Sequence, residues 1–202
     1  MSKRAIRAEQ ERQAARARLL DAALELFSEK GISAGTTAEV ALRAGVSKGL
    51  VFNYFPTKDA LLQALIERVM GDILGYWEEH DWTGPPVEQL HRVADVALSH
   101  VAERPGFFRF YFSLMLQPDS PPAAERAAVT LRPRIEFYFE RLREVMTALG
   151  SDDPLADARL FQFALVGLSQ MIAATPALLG PEGKGPLVGL KNRLVDTFTR
   201  LR

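Results

Sequence analysis

The sequence predicts an all-α protein of about nine helices. Apolar residues recur along the chain at helical spacing, about three to four positions apart. Alternation with a period of two is never sustained and β-branched residues are scarce, so the pattern gives little support to a sheet. Segments rich in glycine and proline separate the periodic stretches and mark where helices end.

Four helices are expected in the first part of the chain. Gly31 stops the first of them, and Gly45 separates the second from the third, where a tight turn requires a positive φ. Pro56 precedes the fourth helix, which Thr57 opens and which is the longest of this group. The predicted helices span residues 14–30, 37–44, 48–55 and about 57–80.

Five further helices complete the expected fold. Asp153 and Pro154 predict a helix start, because the carboxylate accepts from free amides and proline suits the first helical position. Gly150 suits the end of the preceding helix, and Pro133 implies either a kink in that helix or a later start. Residues 180–186 are expected to form a flexible connector. The predicted helices span about residues 87–103, 106–116, 122–149, 154–178 and 187–201.

Composition excludes several classes of protein. The 202 residues contain no cysteine and three histidines, which excludes disulfide scaffolds, thiol nucleophiles and thiolate metal sites. The cluster at residues 78–81 is expected to be a solvated helix end, because adjacent helical residues point in different directions. We therefore expect no metal and no cofactor. With no apolar run of roughly 18–20 residues and a charged start, a soluble cytoplasmic protein without membrane contact is expected.

The net charge is zero, but the charges are unevenly distributed. Residues 1–60 carry ten Lys and Arg against seven Asp and Glu, and the rest of the chain has the opposite excess. The basic excess is concentrated in residues 1–18, where six basic side chains accompany two glutamates. We assign residues 1–13 to a basic arm, which is consistent with a local contact to a polyanion or with a solvated terminus.

The stretch TTAEVALRAGVSKGLVFNYFPTKDAL carries the most specific pattern in the chain. Thr36 and Glu39 have the spacing of a capping box, in which a hydroxyl and a carboxylate satisfy each other's backbone amides. Gly45 supplies a turn, and Ser47 caps a second short helix. This arrangement is typical of a helix–turn–helix, whose second helix enters the major groove of DNA. The inward residues of that helix are expected to be Val51 and Phe55.

This stretch resembles the DNA-binding domain of the TetR/AcrR family of bacterial transcriptional repressors. The resemblance covers roughly residues 12–62. It includes the Leu-x-x-Ala-x-x-Leu-Phe pattern of the first helix, the Ala-Gly-Val-Ser turn and the segment Asn-Tyr-Phe-Pro-Thr-Lys-Asp. The resemblance implies a three-helix DNA-binding domain over residues 1–56. It also implies a helical domain for effector binding and dimerisation over residues 57–202.

Residue chemistry and the resemblance together identify the expected DNA contacts. Hydroxyls at helix starts suit phosphate oxygens, and Lys48 suits a guanine edge or a phosphate. The resemblance implies that Tyr54 and Lys58 clamp the DNA backbone. The family commonly has tyrosine at position 52, whereas Phe52 lacks the hydroxyl for that phosphate contact. Leu50 replaces a small or hydroxyl residue and either touches a thymine methyl or packs. The full expected set is Thr36, Thr37, Ser47, Lys48, Gly49, Leu50, Asn53, Tyr54 and Lys58.

The second domain offers candidates for an effector site. The helix expected over residues 106–116 is apolar on almost every face, so it must be surrounded on all sides. Its aromatic residues line either a dense core or a ligand cavity. The resemblance implies a cavity for a large, mainly apolar or aromatic effector. The expected lining residues are Trp77, Phe107, Phe110, Tyr111, Met115, Phe137 and Phe161.

The last two helices predict a homodimer. Both carry apolar stripes, and two such helices from each of two chains would make a four-helix bundle about a two-fold axis. One recognition helix reads too few base pairs, whereas a symmetric pair reads a pseudo-palindrome. The expected interface residues are Leu165, Leu168, Ile172, Leu190, Leu194 and Phe198.

Together these observations predict a ligand-responsive repressor that binds a double-stranded DNA operator as a dimer and is released by a small-molecule effector. Two alternatives stay open: a DNA-binding regulator without an effector, and an enzyme that acts on the bound molecule. The sequence shows no paired nucleophile and base and no phosphate-binding glycine loop to support an enzyme. Binding without sequence preference is disfavoured, because it requires many phosphate contacts and the net charge is zero.

Overall fold

The structure, a computed structural model, describes residues 3–115, 121–175, 177 and 186–199. Over these residues the chain forms nine α-helices and no strand, which confirms the predicted all-α class. None of the described helices is long and apolar enough to cross a membrane. The helices are α1 (Lys3–Lys30), α2 (Thr37–Arg43), α3 (Lys48–Tyr54), α4 (Lys58–Glu78), α5 (Pro86–Glu103), α6 (Pro105–Met115), α7 (Pro122–Ala148), α8 (Pro154–Ala174) and α9 (Pro186–Thr199).

Several helices begin at side chains that satisfy free backbone amides. The Thr36 hydroxyl accepts from the Glu39 amide at 3.2 Å and the Glu39 carboxylate accepts from the Thr36 amide at 3.0 Å, which confirms the capping box. Ser47 caps α3 and Asp153 caps α8, each accepting from the amide three residues further on, at 3.2 and 3.1 Å. Pro154 occupies the first turn of α8, as expected.

The first helix is longer than the sequence predicted. It begins at Lys3, well before the expected start at residue 14, so the described part of the basic arm is helical. Its side chains are mostly exposed, and the buried stripe starts at Leu19. The helical extension therefore has no apolar face that would reveal it in the sequence. Pairs one turn apart support it, such as Arg7 with Glu11 at 2.9 Å, although exposed pairs of this kind add little stability.

Helix α7 continues through a proline. It starts at Pro122 and contains Pro133, so the alternative of a later start is wrong. Pro133 has no amide hydrogen to donate to the carbonyl oxygen one turn earlier in the helix. That carbonyl oxygen must therefore accept from another partner or from water. Gly150 follows the last turn with φ +82°, the left-handed conformation expected at this position.

Helix α8 ends earlier than predicted. Its last residue is Ala174, and the amide of Thr175 donates to the carbonyl of Met171 at 2.9 Å. Pro176 follows in the sequence, and a proline disfavours helical conformation in the residue before it. Residues 178–185, which include most of the expected connector, lie outside the described residues.

The chain divides into two compact units that do not follow a single boundary in the sequence. The first unit comprises Met1–Gly71 with Phe110–Thr130, and the second comprises Asp72–Arg109 with Leu131–Arg202. Helices α4, α6 and α7 therefore contribute residues to both units. The first unit extends beyond the three expected DNA-binding helices, and the division of function at residue 56 stays a prediction.

An aromatic pair lies at the centre of the first unit. The rings of Phe27 and Phe110 stack with their centroids 6.5 Å apart, and both side chains are almost completely buried. Gly35 packs directly against the Phe27 ring, because a Cβ at that position would lie 2.6 Å from two carbons of the ring. Glycine is thus required for close approach of the chain to this core. Other fully buried residues of the unit are Leu20, Val40, Val51, Leu61 and Leu65.

The core of the second unit is formed where α5 packs against α8 and α9. Phe161 of α8 is fully buried, and its ring meets that of Phe198 in α9 edge to face at 5.6 Å. Leu90 and Val93 of α5 are also fully buried. This packing holds the last two helices of the chain together.

Candidate nucleic-acid interface

A glycine and two backbone hydrogen bonds build the turn between α2 and α3. Gly45 has φ +66°, a conformation that residues with a side chain rarely adopt. Its amide donates to the carbonyl of Leu42 at 3.2 Å, and the amide of Val46 donates to that of Ala41 at 3.0 Å. Since Ala41 is buried, the turn fixes the start of α3 against the core.

The start of α2 holds a network of charged and polar groups. Lys30 donates from Nζ to Oε1 of Glu39 at 2.6 Å, and Thr36 donates its hydroxyl to Oε2 at 2.9 Å. These bonds, the one from Lys30 foremost, lower the pKa of the Glu39 carboxyl to about 2. The Glu39 carboxylate therefore stays charged at neutral pH, and it accepts hydrogen bonds from both the amide and the hydroxyl of Thr36. A phosphate at this helix start must therefore compete with Glu39 or use Thr37, which is half-buried.

One face of α3 is buried and the opposite face is polar and exposed. Val51 is fully buried and Phe55, at the end of the helix, is 3% exposed, so both predicted core residues are confirmed. The exposed face leaves the backbone bare at Gly49, where another molecule can approach closely. Of the residues expected to contact DNA, Ser47, Lys48, Gly49 and Asn53 are exposed, while Leu50 and Tyr54 are half-buried on the flanks of the helix.

Lys58 opens α4 and is turned toward the protein. Its ammonium donates to the carbonyl oxygen of Ser33 at 3.2 Å and lies 5.8 Å from the centroid of the Phe27 ring. The preceding Thr57 caps the helix by accepting from the amide of Ala60 at 3.0 Å. Lys58 is therefore placed at a helix start, as expected, and its ammonium keeps two further donors for a phosphate while it bonds the Ser33 carbonyl.

A basic residue of α1 that follows the basic arm, Arg16, lies beside the end of α3. The guanidinium of Arg16 sits 5.4 Å from the centroid of the Phe55 ring. Arg12, one turn earlier on α1, pairs with Glu9 at 3.1 Å. Sequence spacing could not reveal this contact, because it joins residues far apart in the chain. It places the Arg16 guanidinium beside the residue that ends α3.

The acidic residues at 78–81 are engaged with neighbouring side chains. Glu78 accepts from Arg134 at 2.6 Å, and this hydrogen bond lowers the pKa of the Glu78 carboxyl. Asp81 accepts from the amide of Thr83 at 3.0 Å and from its hydroxyl at 2.6 Å. Within the described ranges, no group of three or more His, Asp or Glu residues is arranged to hold a metal ion.

His80 differs from the solvated residue expected at this helix end. It is half-buried, and its ring lies 5.7 Å from that of Trp77 and 4.9 Å from that of Trp82. Its Nε2 atom is buried and has no hydrogen-bond partner among the described atoms. Burial, followed by the charge of Arg92, lowers the pKa of His80. With Tyr138, whose ring is 5.2 Å from Trp77, these residues form what we call the tryptophan cluster: Trp77, His80, Trp82 and Tyr138.

The structure does not gather the expected effector-lining residues in one place. Phe110 and Tyr111 belong to the first unit, where Phe110 stacks in the core and burial raises the pKa of the Tyr111 hydroxyl. Met115 also belongs to the first unit, whereas Trp77, Phe107, Phe137 and Phe161 belong to the second. There Phe137 is 40% exposed beneath Arg141. The side chain of Met115 lies outside the described residues.

Two further expected lining residues are part of the second unit's packing. Phe161 is fully buried against Phe198. Phe107 is 4% exposed, and the guanidinium of Arg104 lies 4.4 Å from its ring centroid. Trp77 belongs to the tryptophan cluster, which also holds the unpaired Nε2 atom of His80. Sequence reasoning missed His80, since its neighbours in the sequence are acidic and exposed.

The expected dimer residues separate into two groups. Leu165, Ile172 and Phe198 are buried within the protomer, on helices α8 and α9, which pack against each other and against α5. These three cannot touch a second chain and are corrected to core residues. Leu190 is 49% exposed. With Leu168 and Leu194 it lines an open groove of about 420 Å³ between α8 and α9, whose other lining residues are Ala164, Gly167, Met171, Arg193 and Thr197.

Comparisons with known proteins agree with the helix–turn–helix geometry. Residues 19–65 match the family model of bacterial regulatory proteins of the tetR family. The HTH-type transcriptional regulator BetI of Burkholderia thailandensis is 42% identical over 69 residues, which is 34% of this chain and 35% of the relative. The chain thus matches about a third of the length of this curated relative.

Solved structures resemble almost the whole chain. A transcriptional regulator from Rhodococcus sp. Rha1 has a TM-score of 0.76 at 23% identity, covering 91% of this chain and 95% of its own. The transcriptional regulator FadR from Bacillus subtilis, in complex with stearoyl-CoA, has a TM-score of 0.71 at 19% identity, covering 91% and 97%. At these identities the similarity establishes the shared fold.

Proposed function

Because residues 19–65 match the model of bacterial regulatory proteins of the tetR family, we propose that the chain is a ligand-responsive transcriptional repressor of that family. A homodimer binds a pseudo-palindromic operator, and a small effector releases it. One observation carries the DNA-binding part of this proposal. Helix α3 is anchored by the buried Val51 and presents a polar, exposed face behind a Gly45 turn. A bacterial regulator of this kind acts in the cytoplasm, where its DNA target lies.

The exposed face of α3 enters the major groove. Lys48 and Asn53 offer polar groups to base edges, and Gly49 lets the backbone of α3 come close to the DNA. Tyr54 and Lys58 flank this face and bind the DNA backbone, with the ammonium of Lys58 offering a phosphate the donors that it does not use on Ser33. Thr36, Thr37 and Ser47 add hydroxyls at the starts of α2 and α3.

The open groove between α8 and α9 forms the dimer interface. Met171 is 51% and Leu190 is 49% exposed, so these apolar side chains are left in contact with water in the single chain. Glycine at position 167 lets a helix of a second chain approach closely. Two-fold pairing of this groove buries the exposed side chains and sets two α3 helices at the spacing of successive major grooves.

The tryptophan cluster is the proposed effector site. It offers large apolar rings together with polar atoms: the unpaired Nε2 of His80 and the hydroxyl of Tyr138, which donates to Gln162. Such a mixture suits an apolar or aromatic effector held by few hydrogen bonds. FadR, which shares the fold, holds stearoyl-CoA, and this supports a ligand-binding role for the helical body.

Selection of binding sites from a random duplex library tests the DNA-binding proposal. We expect a palindromic consensus, and we expect Tyr54→Ala and Lys58→Ala to abolish binding to it while the fold and the dimer persist. Arg159→Ala serves as a control, because it removes an exposed cation from the second unit. A folded protein that selects no consensus, or wild-type affinity in both variants, contradicts the assignment.

Intrinsic fluorescence tests the effector site directly. The chain has two tryptophans, and both lie in the tryptophan cluster. A releasing effector should therefore change the emission at the same concentration that lowers operator affinity, and Tyr138→Ala should weaken both effects. A compound that dissociates the operator without changing the emission places the effector elsewhere. Turnover of the bound compound would instead favour the enzyme alternative.

A further inference from the structure

One aromatic side chain on α3, that of Phe52, is exposed and is not part of the core. Phe52 is 40% exposed, whereas the other apolar anchors of the helix, Val51 and Phe55, are at most 3% exposed. The ammonium of Lys48, one turn earlier, lies 5.5 Å from the centroid of the Phe52 ring. The two side chains therefore share one side of the exposed face and form what we call the Lys48–Phe52 pair.

Resting on the proposed DNA-binding function, we propose that Phe52 reads a thymine of the operator through its C5 methyl group. The edges of base pairs in the major groove are lined with hydrogen-bond donors and acceptors, and the thymine methyl is their apolar feature. A phenyl ring has no donor or acceptor for the polar groups or for a phosphate. Its favourable partner on DNA is therefore the methyl, which cytosine lacks at the equivalent position.

Lys48 is expected to bind a guanine close to the thymine that Phe52 contacts. A lysine ammonium in the major groove binds O6 and N7 of guanine, and the Phe52 ring holds the ammonium on its own side of the helix by a cation–π contact. Residues one turn apart on a helix are separated by about 6 Å along its axis, whereas base pairs are about 3.4 Å apart. The pair thus reads a guanine and a thymine that lie within about two base pairs of each other.

Leu50 is the competing candidate for the same methyl group. It is half-buried, and its amide is bonded to the Ser47 hydroxyl at 3.2 Å. Residues two positions apart project about 200° apart around a helix, so Leu50 and Phe52 point to opposite flanks. The more exposed side chain, on the flank that also carries Lys48, is Phe52.

Uracil substitution in the selected operator isolates the methyl group. Uracil pairs like thymine and lacks only that methyl, so each thymine of the half-site is replaced in turn. Burial of one methyl corresponds to about a fourfold change in affinity. We expect about a fourfold loss for wild type at one thymine of each half-site, and about fifteenfold when both symmetric positions carry uracil.

The protein variants identify which side chain senses the change. In Phe52→Ala the same uracil should have no effect, while Phe52→Tyr, which keeps the ring, and Leu50→Ala should retain the sensitivity. Because Phe52 is exposed, Phe52→Ala should unfold at the wild-type temperature. The proposal is overturned if wild type tolerates uracil at every position, if Phe52→Ala keeps the sensitivity, or if Leu50→Ala loses it. Absence of any selected consensus would instead remove the proposed DNA-binding function itself.

Discussion

A single glycine on α3 separates fold stability from DNA binding. Gly49 is the second residue of the helix, and a Cβ there would meet only the Ser47 hydroxyl oxygen, at 4.0 Å. Glycine inside a helix costs roughly 0.5–1 kcal/mol relative to alanine. We therefore expect Gly49→Ala to raise the free energy of unfolding by up to about 1 kcal/mol. For a chain of this length that is a rise in Tm of about 2–4 °C.

The same substitution should lower affinity for the operator. In the proposed complex the bare backbone at Gly49 lies against the DNA, and a methyl added to a packed contact costs about 1–3 kcal/mol. At one site per protomer this corresponds to a loss of at least about fivefold, and more in a dimer that uses both sites. Thermal unfolding followed by circular dichroism and anisotropy of a labelled operator at fixed salt measure the two effects.

Gly106→Ala is the matched control for this substitution. Gly106 is also the second residue of its helix, α6, and a Cβ there would meet only the Arg109 side chain, at 4.0 Å. It should show a similar gain in Tm and unchanged operator affinity. Wild-type affinity in Gly49→Ala would refute the close approach of α3 to DNA at this residue. A lowered Tm in Gly49→Ala would refute the helix geometry on which the reasoning depends.

The other glycines, the tryptophan cluster and the basic arm give further expectations. Gly45→Ala should lower the free energy of unfolding by about 1–2 kcal/mol, because φ is positive there. Gly35→Ala should cost about 1–3 kcal/mol by displacing a buried ring, and thermal unfolding compares the two. Burial lowers the pKa of His80 below 6.5, so stability should be full above about pH 6.5 and fall as the pH drops through the window below it. Denaturant unfolding between pH 5 and 8 should lose this dependence in His80→Gln, and an unchanged dependence contradicts the assignment. Replacing Arg7 and Arg12 by Gln should make the slope of log K against log salt shallower by about 1 for each phosphate that the arm no longer neutralises, and an identical slope means that the arm does not touch DNA.

Local rules were sufficient to predict most of the helix boundaries. Thr36 and Asp153 occupy the caps that their side chains favour, and Gly45 and Gly150 have the positive φ that the pattern requires. Each of these features depends on atoms within about four residues in the chain, so a single sequence contains the information. The exposed part of α1 was not predicted, because its sequence lacks the local signal of a helix. It has no apolar stripe, and periodicity therefore gave no sign of it.

Contacts between distant residues could not be predicted in the same way. The contact of Arg16 with Phe55 and the burial of His80 between two tryptophans depend on how helices pack. The apolar stripes of α8 and α9 raise the same difficulty, because a leucine facing the protomer's own core and a leucine facing a partner look alike in a sequence. Leu165 is buried and Leu168 lines the groove, although both belong to one stripe.

Helix α4 is the element through which an effector could act on the DNA-binding face. In the first unit, Arg68 holds it to α1 by donating to the carbonyl of Ala17 at 3.1 Å and by pairing with Asp21. In the second unit, its last turn is held by the pair of Glu78 with Arg134 at 2.6 Å. Exposed or half-exposed pairs of this kind contribute at most about 1 kcal/mol each, so such anchors can be exchanged at small cost.

For the effector to release the operator, it must bind one position of α4 more tightly than the other, and high affinity alone is not sufficient. In the proposed complex, an effector at the tryptophan cluster touches Trp77, which lies in the last turns of α4 next to the Glu78 anchor. It shifts the helix only to the extent that it binds the shifted position more tightly. Coupling energies between sites are typically about 1–3 kcal/mol, a range that a few exchanged anchors of α4 can supply. The same coupling must act in reverse, so operator DNA should weaken effector binding by the factor by which the effector weakens DNA binding.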